Sequence, residues 1–133
     1  MLVGLDLGWK TVGEISYGGP GCVERARRGE EIVRRRLVPL ASEIDELRCD
    51  LVGVSSLTGG IIGSSYPPEV RLRIAARCRT RDAAEAVAYE GEYLYFGPAG
   101  AGGATGSVVP AIGVTPAYLP RSAVRLEVEV IAS

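Results

Sequence analysis

Histidine is absent from all 133 residues, and lysine occurs once, at Lys10. Without imidazole there is no Ser-His-Asp triad, no Cys-His nucleophile pair and no histidine-ligated zinc. The three cysteines, Cys22, Cys49 and Cys78, lie far apart and form no CxxC. That spacing sets aside a zinc ribbon and reads as buried free thiols in a reducing cytoplasm. No apolar run approaches the about 20 residues that a membrane-spanning helix needs. The chain enters a strand at its start with no signal-peptide pattern, so the expected location is cytoplasmic. Charge imbalance is also missing: the net charge is −1. No global field then favours nucleic acid or an anionic membrane, although a local basic patch is enough for the former. Every basic residue other than Lys10 is arginine, a usage that fits a GC-rich or a hot-growing source.

What is present is ordinary for a globular chain: 47% apolar and 23% charged residues. At this length a single α/β domain over residues 1–133 is expected, with enough core to fold alone. Leu2 to Leu7 reads as a buried strand ending at Asp6, Gly8 as a turn, and Thr11 to Tyr17 as a second strand. Gly18-Gly19-Pro20-Gly21 breaks the chain before a polar third strand, Cys22 to Arg28. Gly29 opens a helix whose stripe of Val33, Leu37, Leu40, Ile44 and Leu47 extends to Arg48, with Pro39 kinking it. Leu51 to Val54 follows as a short buried strand, placed most simply parallel to the first. Residues 55–68 form a glycine- and serine-rich connection. Val70, Leu72, Ile74, Ala76 and Cys78 alternate with Arg71, Arg73, Ala75, Arg77 and Arg79, which is the period of a strand with one arginine-rich face. Thr80 caps a helix through Tyr89 that Gly91 stops. A strand at Glu92 to Phe96, a glycine loop at 97–107, a short strand at Val108 to Val114 and a terminal strand at Val124 to Val130 complete the reading. The sum is an α/β fold on a mixed sheet: three strands, a helix and a strand (βββαβ), then strand–helix–strand and a last strand. No internal repeat is evident.

Leu5-Asp6-Leu7-Gly8-Trp9-Lys10-Thr11-Val12-Gly13 resembles the opening of the ribonuclease H-like superfamily. It is closest to the resolvase-like nucleases that process pre-ribosomal RNA and Holliday junctions. The resemblance covers residues 1–54, and the order of three strands, helix and strand agrees with it. It implies a nuclease in which Asp6 binds Mg²⁺ together with further acids, since hard oxygens hold that ion and the ion activates water. The fourth strand ends in Val54-Ser55-Ser56, where members often place an acid, so the partners fall to Asp82 and Glu85, three apart on one helix face. Glu90 and Glu92 lie nearby. In the alternative reading, Asp6 hydrogen-bonds the Gly8 turn. Actin-like ATPases share the same opening, which would make Gly8 a phosphate contact in a minimal nucleotide-binding domain.

Gly59 and Gly60 sit in a loop able to cradle phosphate through backbone amides, although the Walker lysine and GxGxxG are both missing. Lys10, Arg71, Arg73, Arg77 and Arg79 are the candidate nucleic-acid contacts, joined by Arg34, Arg35 and Arg36. The alternative for this stripe is a solvated face paired with acids. Trp9, the lone tryptophan, is either a base-stacking platform or a packing residue. Two function classes therefore stand side by side: a Mg²⁺-dependent nucleic-acid-processing enzyme, and a non-catalytic binding or assembly module that forms a homodimer through an edge strand.

Overall fold

The computed structural model describes residues 1–56, 67–97, 101–125, 127 and 129. Its elements in chain order are β1 (Leu2–Gly18), α1 (Cys22–Arg36), a single 3-10 turn (Val38–Leu40), β2 (Ile44–Val52), β3 (Glu69–Cys78), α2 (Arg81–Tyr95), β4 (Gly102–Pro116) and a second 3-10 turn (Arg121–Ala123). The four strands make one sheet in the order β2-β3-β1-β4, and each described ladder is antiparallel. This βαββαβ order is the split-βαβ, ferredoxin-like arrangement. The α/β class holds, but the βββαβ beginning does not, nor does a mixed sheet among the described strands. β2 does run in the direction of β1, as a strand after a crossover helix should, yet β3 lies between them.

The helix expected from Gly29 to Arg48 instead ends at Arg36: Pro39 sits in the 3-10 turn, and Ile44 and Leu47 belong to β2, which takes in Leu51 and Val52 of the short strand expected at Leu51 to Val54. The loop expected over 97–107 gives way to β4 from Gly102 onward. Further local readings fail for identifiable reasons. Gly8 does not end the first strand. It takes φ 83° inside a β-bulge, where Leu7 and Gly8 together oppose Ala111, so residues 2–18 form one long strand. Cys22 to Arg28 is not an edge strand but the first half of α1. Its buried residues, Cys22, Ala26, Gly29 and Val33, recur at helical spacing, while the arginines between them face water. Gly91 does not stop α2; it is buried within it, and the stretch Glu92 to Phe96 extends the helix to Tyr95 rather than forming a strand. The strand at Glu69–Cys78 and the Thr80 cap are as expected, with the Thr80 hydroxyl accepting from the Ala83 amide at 3.4 Å. The 55–68 connection falls largely outside the described residues. Of the strand expected at Val124 to Val130, Val124, Arg125, Glu127 and Glu129 are not in a strand, and the other three lie outside the described residues.

Both helices cover one face of the sheet. Thr11, Ile15 and Tyr17 of β1 point to that face, with Val70, Leu72, Ile74 and Cys78 of β3. Thr11 Oγ1 donates to the Ala84 carbonyl of α2 at 2.8 Å, and Tyr17 reaches Gly29 of α1. Glu90 of α2 is buried and accepts from Arg36 Nε, at the end of α1, at 2.8 and 3.1 Å. The opposite face carries Lys10, Glu14, Arg71, Arg73, Arg77 and their acidic partners. No described helix is long and apolar enough to cross a membrane.

Candidate functional site

β1 outruns its neighbour β3. Trp9 pairs with Cys78 at the end of β3, whereas Leu2 to Asp6 pair, among the described residues, only with β4, from Pro116 down to Ile112. The result is a two-stranded arm rooted at the Gly8 bulge. The bulge is fixed from two sides. The Gly8 amide donates to Asp6 Oδ1 at 2.9 Å, and a side chain at Gly8 would run into the Cys78 carbonyl. Glycine is therefore required there both by its positive φ and by close approach.

At the root of the arm lies an open cleft of about 440 Å³, lined by Gly4, Leu5, Asp6, Gly8, Trp9, Pro110 and Ile112. Its walls are mainly apolar, with Leu5 44% and Ile112 72% exposed. Trp9 is half-buried and receives the Arg81 guanidinium over its ring at 5.6 Å. The Asp6 carboxylate supplies the polar rim. A second groove of about 370 Å³ runs between α2 and β4, lined by Arg81, Glu85, Tyr89, Glu92 and Ser107 among others, and is more polar.

The residues singled out from sequence do not converge on one place. Asp6 sits at the bulge and is engaged by Gly8. Asp82 lies in the first turn of α2, and Glu85 is ion-paired with Arg81 at 2.8 Å. Among the described residues, no three acids or cysteines are grouped to hold a metal ion, so Asp6, Asp82 and Glu85 form no such set. Gly59 and Gly60 lie outside the described residues.

The arginine stripe does form on the outer face, and it is met by acids. Arg71 pairs with Glu14 at 3.4 Å, Arg73 with Glu14 and Asp50 at 3.7 and 3.8 Å, and Arg77 with Asp45 and Glu46 at 3.3 and 3.0 Å. Arg79, just past the strand, holds Asp45 at 2.8 Å. Lys10 is exposed on the same face, opposite Arg77. Burial pushes the Cys49 thiol up to about 11 and raises that of Cys78, so neither favours the thiolate. Cys22, Cys49 and Cys78 are all free, and Cys22 donates to the Pro67 carbonyl at 3.2 Å.

Sequence reading passed over Leu5, Pro110 and Ile112. Pro110 and Ile112 share the parity of Val108, which pairs with Thr11 on the helix side of the sheet, so the sequence pattern does not set them apart from core positions.

Residues 1–130 match the family model described as "Acyclic terpene utilisation family protein AtuA". That match overturns the ribonuclease H-like resemblance, and with it the nuclease reading, its non-catalytic variant on the same fold and the minimal actin-like nucleotide binder. The short Asp-x-Gly opening that carried them belongs here to a bulge. No curated protein matches the chain. Among solved structures, the de novo designed protein Ferredog-Diesel is similar at 15% identity and a TM-score of 0.43, over 82% of this chain and 86% of that one.

Proposed function

The chain belongs to the acyclic terpene utilisation family AtuA, and from that premise we propose that the cleft at the β1 bulge binds the branched apolar chain of an acyclic terpenoid. The observation that carries this reading is the make-up of the cleft: apolar walls from Leu5, Trp9, Pro110 and Ile112 around a single carboxylate, Asp6. An acyclic terpene alcohol is a flexible methyl-branched hydrocarbon with one polar end. The walls take the hydrocarbon. Asp6 Oδ1 is held by the Gly8 amide, and the other oxygen accepts a hydrogen bond from the alcohol hydroxyl. The same carboxylate repels a terpene acid, so the cleft discriminates by head group.

The volume of about 440 Å³ falls in the range of small-molecule sites. Because the cleft is open, a chain of about ten carbons loses only part of its water contact, for a gain of roughly 4 kcal/mol at ~0.8 kcal/mol per buried methylene. That corresponds to a dissociation constant near the millimolar range.

Trp9 is the only tryptophan and lines the cleft, so its fluorescence reports occupancy directly. Titration with geraniol, an acyclic terpene alcohol, should give a saturable change. The matching terpene acid should bind several-fold more weakly at pH 7, and Ile112→Asp should weaken geraniol binding at least about ten-fold. A linear, non-saturating response up to the solubility limit, or an Ile112→Asp curve that overlays the parent, would remove the proposal.

A further inference from the structure

The arm presents a second feature, its strand edge, which shares Gly4, Leu5 and Asp6 with the cleft. From Leu2 to Leu7, one side of β1 is covered by β4, while the side away from β4 has no strand among the described residues, because β3 begins to pair only at Trp9. Half of the backbone donors and acceptors of this stretch therefore have no strand partner among the described residues, a ready template for strand addition. Leu2, Gly4, Leu5, Asp6 and Leu7 are all exposed.

Edges of a natural sheet are normally guarded, and the other two described edges here are. β2 carries Asp45, Glu46, Arg48 and Asp50. The outer side of β4 is interrupted by Pro110, which has no donor, and by a bulge at Gly103 with φ 64°. The Leu2–Leu7 edge has no lysine, arginine or proline. Its one charge, Asp6, is turned to the Gly8 amide.

We propose that this edge pairs antiparallel with the same edge of a second copy of the chain, joining two four-stranded sheets across a two-fold axis. The partner is a second copy because the edge is complementary to itself. A two-fold normal to the sheet requires opposed residues of like parity. Centred on Leu5, it sets Leu5 against Leu5 and Val3 against Leu7, aligning apolar side chains on one face. On the other face Asp6 meets Gly4, so the two carboxylates are never opposed.

Pairing takes Leu2, Leu5 and Leu7, 74%, 44% and 40% exposed, out of water together with the open backbone edge. The inference rests on the strand edge and stands independently of the terpene reading.

Sedimentation equilibrium of the full chain over a wide concentration range tests it. The expected result is a monomer–dimer equilibrium that Leu5→Lys weakens roughly 100-fold, since the charge enters twice at the axis. Circular dichroism of both proteins establishes that the variant is folded. Leu5→Cys provides a measurement that does not depend on that variant. Opposed residues at the axis have Cβ atoms close enough for a disulfide, so mild oxidation should give a covalent dimer, whereas Gly4→Cys and the parent chain should not. A parent that stays monomeric at every concentration overturns the proposal. So does a dimer indifferent to Leu5→Lys, and so does cross-linking of Gly4→Cys in place of Leu5→Cys.

Discussion

Tyr17 is completely buried, and its hydroxyl has no hydrogen-bond partner among the described residues. The oxygen points at Gly29 of α1, in the space a side chain there would need, so the helix passes over β1 only because residue 29 is glycine. Burial pushes the phenol up to about 12 from 10.0, with Arg25 pulling slightly the other way. The folded state thus favours the protonated form. That contribution is whole below pH 10 and is lost as the pH climbs from 10 to 12, a fall of roughly 2–3 kcal/mol. An unpaired buried hydroxyl is itself costly. Tyr17→Phe should therefore raise stability at pH 7 by about 1 kcal/mol and flatten the alkaline decline, and urea denaturation of both proteins between pH 7 and 12 reads the two effects separately. A variant less stable than its parent at pH 7 would mean that the oxygen has a partner. Asp6 belongs at this scale too: its bond to the Gly8 amide was one of two readings open in the sequence, while the bulge that gives that bond its purpose depends on Cys78 of a distant strand, which no local pattern reveals.

At the scale of elements, α2 lies on a track of glycines. A side chain at Gly13 of β1 would meet the Ala88 carbonyl at 2.8 Å, one at Gly106 of β4 would meet it at 3.1 Å, and one at Gly91 of α2 would meet the Glu14 carbonyl at 2.9 Å. Helix and sheet backbones are therefore nearly in contact, and Gly91 is a packing residue rather than a terminator. Alanine at Gly91 gains up to about 1 kcal/mol of helix propensity but overpacks this contact at a cost of about 1–3 kcal/mol. Gly91→Ala should come out destabilised by about 1–2 kcal/mol in thermal or urea unfolding, and a gain in stability would show that α2 can shift outward freely.

The same contact explains what was legible. The two-residue period of Val70 to Cys78 marked β3 because one face is buried and the other solvated. The cap at Thr80 is a local signature. Gly8, Gly29 and Gly91 misled because glycine punctuates loops and also permits close approach, and the distinction lies in what sits opposite. Cys22, Ala26, Gly29 and Val33 form a true helical stripe, hidden by small residues that count little as apolar. The cleft was invisible for a related reason, since its walls come from β1 and β4, some hundred residues apart in sequence.

For the whole molecule, the two faces of the sheet spend their charges differently. The outer face holds Arg71, Arg73 and Arg77 among acids in water, where each pair is worth at most about 1 kcal/mol. The inner side holds one pair that ties the two helices together: Arg36, closing α1, grips Glu90 of α2 at 2.8 Å and lies over the Tyr93 ring at 4.7 Å. The carboxylate is 6% exposed and the guanidinium 48% exposed, so the pair is asymmetric. Removing the arginine strands a charge in the interior, whereas removing both leaves an apolar seam between the helices. Arg36→Ala should cost about 2–3 kcal/mol, below the full penalty for a wholly buried pair because the arginine is half in water. Arg36→Met combined with Glu90→Leu should return most of that loss, since buried pairs are often replaced by apolar residues of like volume without penalty. A double-mutant cycle in urea separates the two cases. If the double variant is as unstable as Arg36→Ala, the pair holds the helices by attraction rather than by satisfying a buried carboxylate; if Arg36→Ala is silent, water already reaches Glu90.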